Sequence, residues 1–144
     1  TPVIGFAGDG AFGISMNEMS SCAREEWPAI AMVIFRNYQW GAEKRNTTLW
    51  FDNNFIGTEL DPELSYAKVA NACGLKGVTV KTMKETTKAI KQFCEKKKKG
   101  ITTFIEVILN QELGEPFRRD AMKKPVRVAG INKKDMRAQK NLNN

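Results

Sequence analysis

The chain has 144 residues, 42% hydrophobic and 27% charged, a composition that excludes a disordered or fibrous protein and leaves room for one core but not two. Its formal net charge of +7 invites a nucleic-acid reading, yet residues 1–116 carry fourteen Lys and Arg against fourteen Asp and Glu. The whole excess lies from Phe117 to Asn144, nine basic residues against Asp120 and Asp135, where Phe117 is the only aromatic that could stack on a base and no nucleic-acid-binding motif accompanies the charge.

No stretch approaches the roughly 20 apolar residues that span a bilayer, and no secretory pattern precedes the first strand, so the expectation is a cytoplasmic protein with no membrane and no nucleic-acid partner. The apolar run at Val3 begins almost at once after Thr1, as in a piece of a longer protein. With no histidine to complete a zinc site, Cys22, Cys73 and Cys94 read as buried reduced thiols.

Val3 to Ala7 and Pro28 to Phe35 are short apolar runs that predict buried strands. Between them, Phe12, Met16, Met19 and Ala23 recur at spacings of three and four, which predicts a helix from about Ile14 to Arg24 with one apolar stripe. Strand, helix, strand is the parallel crossover unit. An irregular stretch follows, in which Trp50, Phe51 and Phe55 are expected to cluster in core packing.

Ser65 to Cys73 then predicts a helix ended by Gly74, a residue that tolerates the left-handed cap conformation. Gly77 to Lys81 is a strand. Thr82 followed three residues later by Glu85 is a capping box, opening a helix with Ala89, Ile90 and Phe93 on one face. Lys96 to Lys99 close that helix at the negative end of its dipole. Thr102 to Leu109 is the last strand, and beyond Asn110 only Asn132 to Gln139 looks helical. The alternation predicts an α/β fold, a mostly parallel sheet flanked by helices, with an irregular basic C-terminal tail.

Gly8-Asp9-Gly10-Ala11-Phe12 stands where the first strand gives way to the first helix, so its amides point beyond the strand's carboxyl end, a place for an anion. A diphosphate there needs a hard cation as well as backbone amides, and magnesium takes oxygen ligands. Asp9 offers a carboxylate, and Asn37, at the end of the second strand, an amide oxygen. Taken singly, each is an ordinary turn residue. In a parallel sheet both strand ends lie on one side, where ligands of open α/β sheets bind, and the joint placement favours a metal site.

GDGAFGISMNEM through FRNYQWG resembles the signature of thiamine-diphosphate-dependent enzymes: Gly-Asp-Gly, a helix, a strand, then Asn-Asn. The resemblance implies magnesium held by the side chains of Asp9 and Asn37 and the backbone carbonyl of Gln39, with Gly10 and Ala11 at the diphosphate and Gly8 and Gly41 also among the cofactor-binding residues; Trp40, directly after the carbonyl ligand, reads equally as packing at the cofactor pocket or as simple loop packing. Arg36 stands where many members have the first Asn, which leaves the metal-binding Asn37 in place. It also implies a partial diphosphate- and magnesium-binding domain over residues 1–110 and a basic tail over 111–144.

NYQWGAEKRNTTLWFDNNFIGTEL and EPFRRDAMKKPVRVAGI are similar to the sulfoacetaldehyde acetyltransferase branch of these enzymes, rather than to acetolactate synthases or decarboxylases of 2-oxo acids. That branch implies conversion of sulfoacetaldehyde and phosphate to acetyl phosphate and sulfite. It places the activating glutamate on a pyrimidine-binding domain outside this chain, so the chain alone is expected to be inactive and the enzyme a homodimer or homotetramer. Both substrates are anions that an arginine fork suits, which singles out Arg118 and Arg119, and after them Lys44 and Arg45. Glu59 and Asp61 read as loop acids near Pro62.

Overall fold

The computed structural model describes residues 1–24, 27–95 and 101–111. The expectations for Lys96 to Lys99, Phe117, Arg118, Arg119 and the helix at 132–139 lie outside these, as does the side chain of Trp50.

The strands β1 (Ile4–Gly8), β2 (Ala31–Arg36), β3 (Lys76–Val80) and β4 (Thr103–Ile108) form one sheet. Its order is β1-β2-β4-β3, and every neighbouring pair is parallel. The helices are α1 (Asp9–Ile14), α2 (Met19–Cys22), α3 (Gly41–Trp50), α4 (Tyr66–Ala72) and α5 (Met83–Glu95). The chain divides into two compact units. The first holds the sheet in Thr1–Gln39 and Leu60–Gln111, and the second includes Trp40–Glu59.

In the first unit, residues packed in two clusters lie on the two faces of the sheet by alternation. Ile34 and Phe104 pack with Met19, Tyr66, Ala70 and Leu75 on one side. Val33, Val80, Ile105 and Val107 pack on the other, under Ala89 and Ile90 of α5. The capping box that opens α5 is formed as expected: Glu85 N–H donates to Thr82 Oγ1 at 3.2 Å, and Thr82 N–H donates back to Glu85 Oε2 at 3.1 Å. Ser65 caps α4 by accepting from Lys68 N–H, and Gly74 ends it at φ +87°. At Gly77 a Cβ would stand 1.9 Å from the carbonyl oxygen of Ala67, so only glycine lets α4 lie this close to β3.

Two expectations need correction. The stripe from Phe12 to Ala23 is not one helix over 14–24; the segment starts helical at Asp9 and is cut into α1, a 3-10 turn at Met16–Glu18, and α2. Gly10 and Gly13 weaken propagation, and Ser15 leaves the helical region at φ −116°, ψ 21°. The four stripe residues still share a face, with Phe12, Met16 and Ala23 packed against the cluster that holds Met19.

The second correction is α3, which occupies part of the stretch read as irregular. Its N-cap, Trp40, makes no side-chain cap, and Thr47 and Thr48 are poor helix formers, so no local signal announces it. Within the second unit, Trp40 N–H bonds the carbonyl of Thr58 at 2.8 Å, Lys44 pairs with Glu59, and the Lys44 ammonium lies 5.2 Å from the Phe55 ring centre. Phe51 and Phe55 are partly exposed rather than core, and the three cysteines are free thiols of intermediate burial rather than fully buried.

Among the described residues no helix is long and apolar enough to cross a membrane. Phe6, 63% exposed, stacks on the half-exposed ring of Phe35 at 6.2 Å, on the part of the sheet that α5 does not cover.

Candidate functional site

The parallel pairing of β1 with β2, in which Gly8 stands opposite Phe35, ends both strands at the same edge. Asp9 is thereby brought to the backbone that follows Arg36. Its carboxylate, 3% exposed, accepts three backbone N–H groups: Gly10 at 2.9 Å on Oδ1, and Asn37 at 3.1 Å and Tyr38 at 2.9 Å on Oδ2. Consecutive N–H groups aimed at one oxygen form an anion-binding concavity. To point both amides this way, Tyr38 takes φ +60°, a left-handed conformation that costs a bulky residue about 1–2 kcal/mol.

The remaining site residues follow the same turn. Asn37 Oδ1 accepts the N–H of Gln39 at 3.3 Å, and the buried Gln39 side chain donates from Nε2 to the carbonyl of Gln111 at 2.9 Å. Gly8 precedes α1 as its N-cap residue, and a Cβ there would meet no atom within 4 Å. Gly10 and Ala11 lie in the first turn of α1. The structure thus gathers Gly8, Asp9, Gly10, Ala11, Asn37 and Gln39 at one end of the sheet. Trp40 and Gly41 open the second unit, and Arg118 and Arg119 lie outside the described residues.

A carboxylate has about four acceptor positions and an amide oxygen two. On Asp9, Oδ2 is saturated by its two donors, while Oδ1 keeps one position; Asn37 Oδ1 also keeps one. Among the described residues the ion pairs are Arg36 with Glu106 and Lys44 with Glu59, so none brings a basic side chain to Asp9. No group of three or more His, Cys, Asp and Glu that could hold a metal occurs among the described residues.

Beside this edge lies a polar network that the sequence does not reveal. Arg36 and Glu106 are both fully buried, with Arg36 Nε 3.3 Å from Glu106 Oε1. Glu106 also accepts from the hydroxyls of Ser65 (2.8 Å) and Thr79 (3.0 Å) and from the N–H groups of Tyr66 (3.1 Å) and Ala67 (3.3 Å). It pins the start of α4 to the sheet. Tyr66 Oη in turn donates to the carbonyl of Asp9 at 3.4 Å. Burial pushes the Tyr66 phenol above its ordinary value of 10.0, opposed by Arg36 and assisted by the nearby charges of Asp9 and Glu106. The only signal in the sequence was an isolated acid inside an apolar strand.

Residues 1–107 match the family described as thiamine pyrophosphate enzyme, C-terminal TPP binding domain. The chain is 74% identical over 98% of its length to a probable sulfoacetaldehyde acetyltransferase of Rhizobium meliloti (strain 1021), and 66% identical over 96% to a sulfoacetaldehyde acetyltransferase of Roseovarius nubinhibens. It spans only 24% and 23% of those two proteins. Among solved structures, a benzoylformate decarboxylase from Polynucleobacter necessarius superposes with a TM-score of 0.69 at 27% identity, covering 78% of this chain and 20% of that one.

Proposed function

Because the chain belongs to the C-terminal TPP-binding domain family of thiamine pyrophosphate enzymes, we propose that it supplies the diphosphate and magnesium site of a sulfoacetaldehyde acetyltransferase. The observation that carries the metal part is Asp9: a carboxylate 3% exposed, with an acceptor position left on Oδ1 and no ion-pair partner among the described residues. A buried charge of that kind calls for a cation.

The donor chemistry fits magnesium. Asp9 Oδ1, Asn37 Oδ1 and the backbone carbonyl of Gln39 would be its protein ligands, all hard oxygens of the kind magnesium takes. The amides of Gly10 and Ala11 would meet the diphosphate, with Gly8 leaving room beside it. Trp40 and Gly41 are proposed beside the cofactor on the strength of the motif. When bound, thiamine diphosphate supplies the carbanion chemistry, and this chain's residues fix its charged end.

The reaction we assign to the whole protein takes sulfoacetaldehyde and phosphate to acetyl phosphate and sulfite. Its activating glutamate would come from the pyrimidine-binding domain, in a cytoplasmic homodimer or homotetramer, and Arg118 and Arg119 are the proposed contacts of the anionic substrates. High identity to two proteins of that name supports this substrate over the 2-oxo acids.

The test uses the full-length protein with thiamine diphosphate, magnesium and sulfoacetaldehyde, following sulfite and acetyl phosphate with and without added phosphate. Both products should appear, acetyl phosphate only when phosphate is present. Consumption of pyruvate without any release of sulfite would keep the cofactor and overturn the substrate.

A further inference from the structure

Arg36 precedes Asn37 directly, and its buried guanidinium makes its hydrogen bonds through Nη2 alone, while Nε and Nη1 have no hydrogen-bond partner. Nη2 donates to the carbonyls of Asp61 at 2.7 Å and Leu64 at 2.6 Å, and Nε faces Glu106 Oε1 at 3.3 Å. Its Cζ lies over two aromatic rings, 4.5 Å from the centre of Tyr38 and 4.6 Å from that of Tyr66. Both tyrosines touch Asp9: Tyr38 N–H bonds its Oδ2 at 2.9 Å, and Tyr66 Oη donates to its carbonyl at 3.4 Å. One buried cation therefore holds the two residues that hold the acid.

We infer that Arg36 is a positioning residue for the metal-binding turn, clamping Tyr38 in its left-handed conformation so that Asp9 and Asn37 present their open oxygen positions to one ion. The inference rests on the magnesium reading of Asp9 and Asn37. It also gives a purpose to the residue that departs from the family signature. A guanidinium can lie over two rings while one of its nitrogens donates to carbonyls and another faces a carboxylate. Lysine in its place keeps the charge opposite Glu106 but cannot stack on both rings and satisfy the same edge partners.

Partners that orient metal ligands without touching the metal typically change metal affinity by about 10–100-fold when altered. In the full-length protein, Arg36→Lys is expected to weaken magnesium about ten-fold, read by calorimetry as the magnesium concentration that supports half-maximal binding of thiamine diphosphate. The magnesium requirement should shift by more than the turnover reached at saturating magnesium and cofactor does.

Arg36→Met combined with Glu106→Gln removes both buried charges together, a change that folded proteins tolerate better than loss of one partner. It should show the same loss of magnesium affinity, and it decides the question if Arg36→Lys does not fold. Wild-type magnesium dependence in the folded variant would overturn the inference and leave Arg36 a brace of the fold. Failure of both variants to fold would overturn it in the same way.

Asp9→Ala, run alongside, separates this result from the reading beneath it. Unchanged magnesium dependence in Asp9→Ala would remove the metal site itself. Loss there with retention in Arg36→Lys would remove only the positioning role.

Discussion

Asp9 at the end of β1 and Glu106 in the middle of β4 are both carboxylates almost without solvent, at 3% and 1% exposure, yet their surroundings differ in kind. Glu106 is complete within the chain: an arginine, two hydroxyls and two backbone N–H groups meet it. Asp9 has backbone N–H groups alone, and among the described residues no ion pair. Burying a charge is costly unless it is paired, and that difference is the ground on which Glu106 is assigned to the fold and Asp9 is proposed to serve a ligand. Arg36 and Tyr66 connect the two, Arg36 through its ion pair with Glu106 and Tyr66 through its bond to the Asp9 carbonyl.

The largest effect that could break this division is at Glu106. Glu106→Ala leaves Arg36 charged, buried and unpaired and unties the start of α4, and is expected to cost about 3–5 kcal/mol. Denaturant unfolding of the full-length protein, with local hydrogen exchange at α4, would measure it. Most of the loss should persist without magnesium and thiamine diphosphate. A variant that unfolds normally but binds cofactor poorly would show that Glu106 acts on the ligand end rather than on the fold.

Asp9→Asn is the counterpart. A ligand at about one hundred times its dissociation constant stabilises the native state by about 2.7 kcal/mol. The wild type should gain that increment from magnesium and thiamine diphosphate together, and Asp9→Asn should lose nearly all of it. If the variant still gains the full increment, the carboxylate is a structural group like Glu106.

Tyr66 joins the two regions, and Tyr66→Phe removes its bond to the Asp9 carbonyl at a cost of about 0.5–1 kcal/mol near neutral pH. Its folded-state value is raised above 10.0, so the neutral phenol is the form the fold prefers. That contribution is fully present below pH 10.0 and is lost as pH rises through the higher folded value. The wild type should therefore lose stability in this alkaline range more steeply than Tyr66→Phe. Identical alkaline profiles would show that Tyr66 is not the group that titrates.

How much of this was legible follows the same division. The meeting of Asp9 and Asn37 at one end of the sheet was legible because their signals are local: an acid between glycines where an apolar run ends, and an asparagine where the next one ends. The parallel pairing of β1 with β2 then does the rest. Glu106 and Arg36 could not be found, because what joins them is the insertion of β4 between β2 and β3, and the order of strands along the chain does not reveal their order in the sheet. Arg36 read as a departure from a motif, and Glu106 as one acid in a strand. The capping box at Thr82 and Glu85 was legible for the reason that α3 was not: one helix start carries a side-chain cap and the other carries none.

Glu85 supplies the smallest effect and a control on the comparison. Its Oε2 accepts backbone N–H groups from Lys81 at 2.8 Å and Thr82 at 3.1 Å, much as Asp9 does, but it is fully exposed. The Lys81 N–H, followed by the Thr82 bond, holds its carboxyl below the ordinary 4.5. A depressed folded value stabilises above 4.5 and is lost as pH falls through that lower value. Hydrogen-exchange protection of the Lys81 and Thr82 amides should therefore drop in that acid window in the wild type, and be lower and nearly independent of pH in Glu85→Gln. Magnesium should leave both profiles unchanged, because a carboxylate open to water has no need of a second cation. If magnesium protected these amides as well, backbone N–H groups on a carboxylate would be enough to mark a metal ligand, and the burial of Asp9 would lose its meaning as the sign of one.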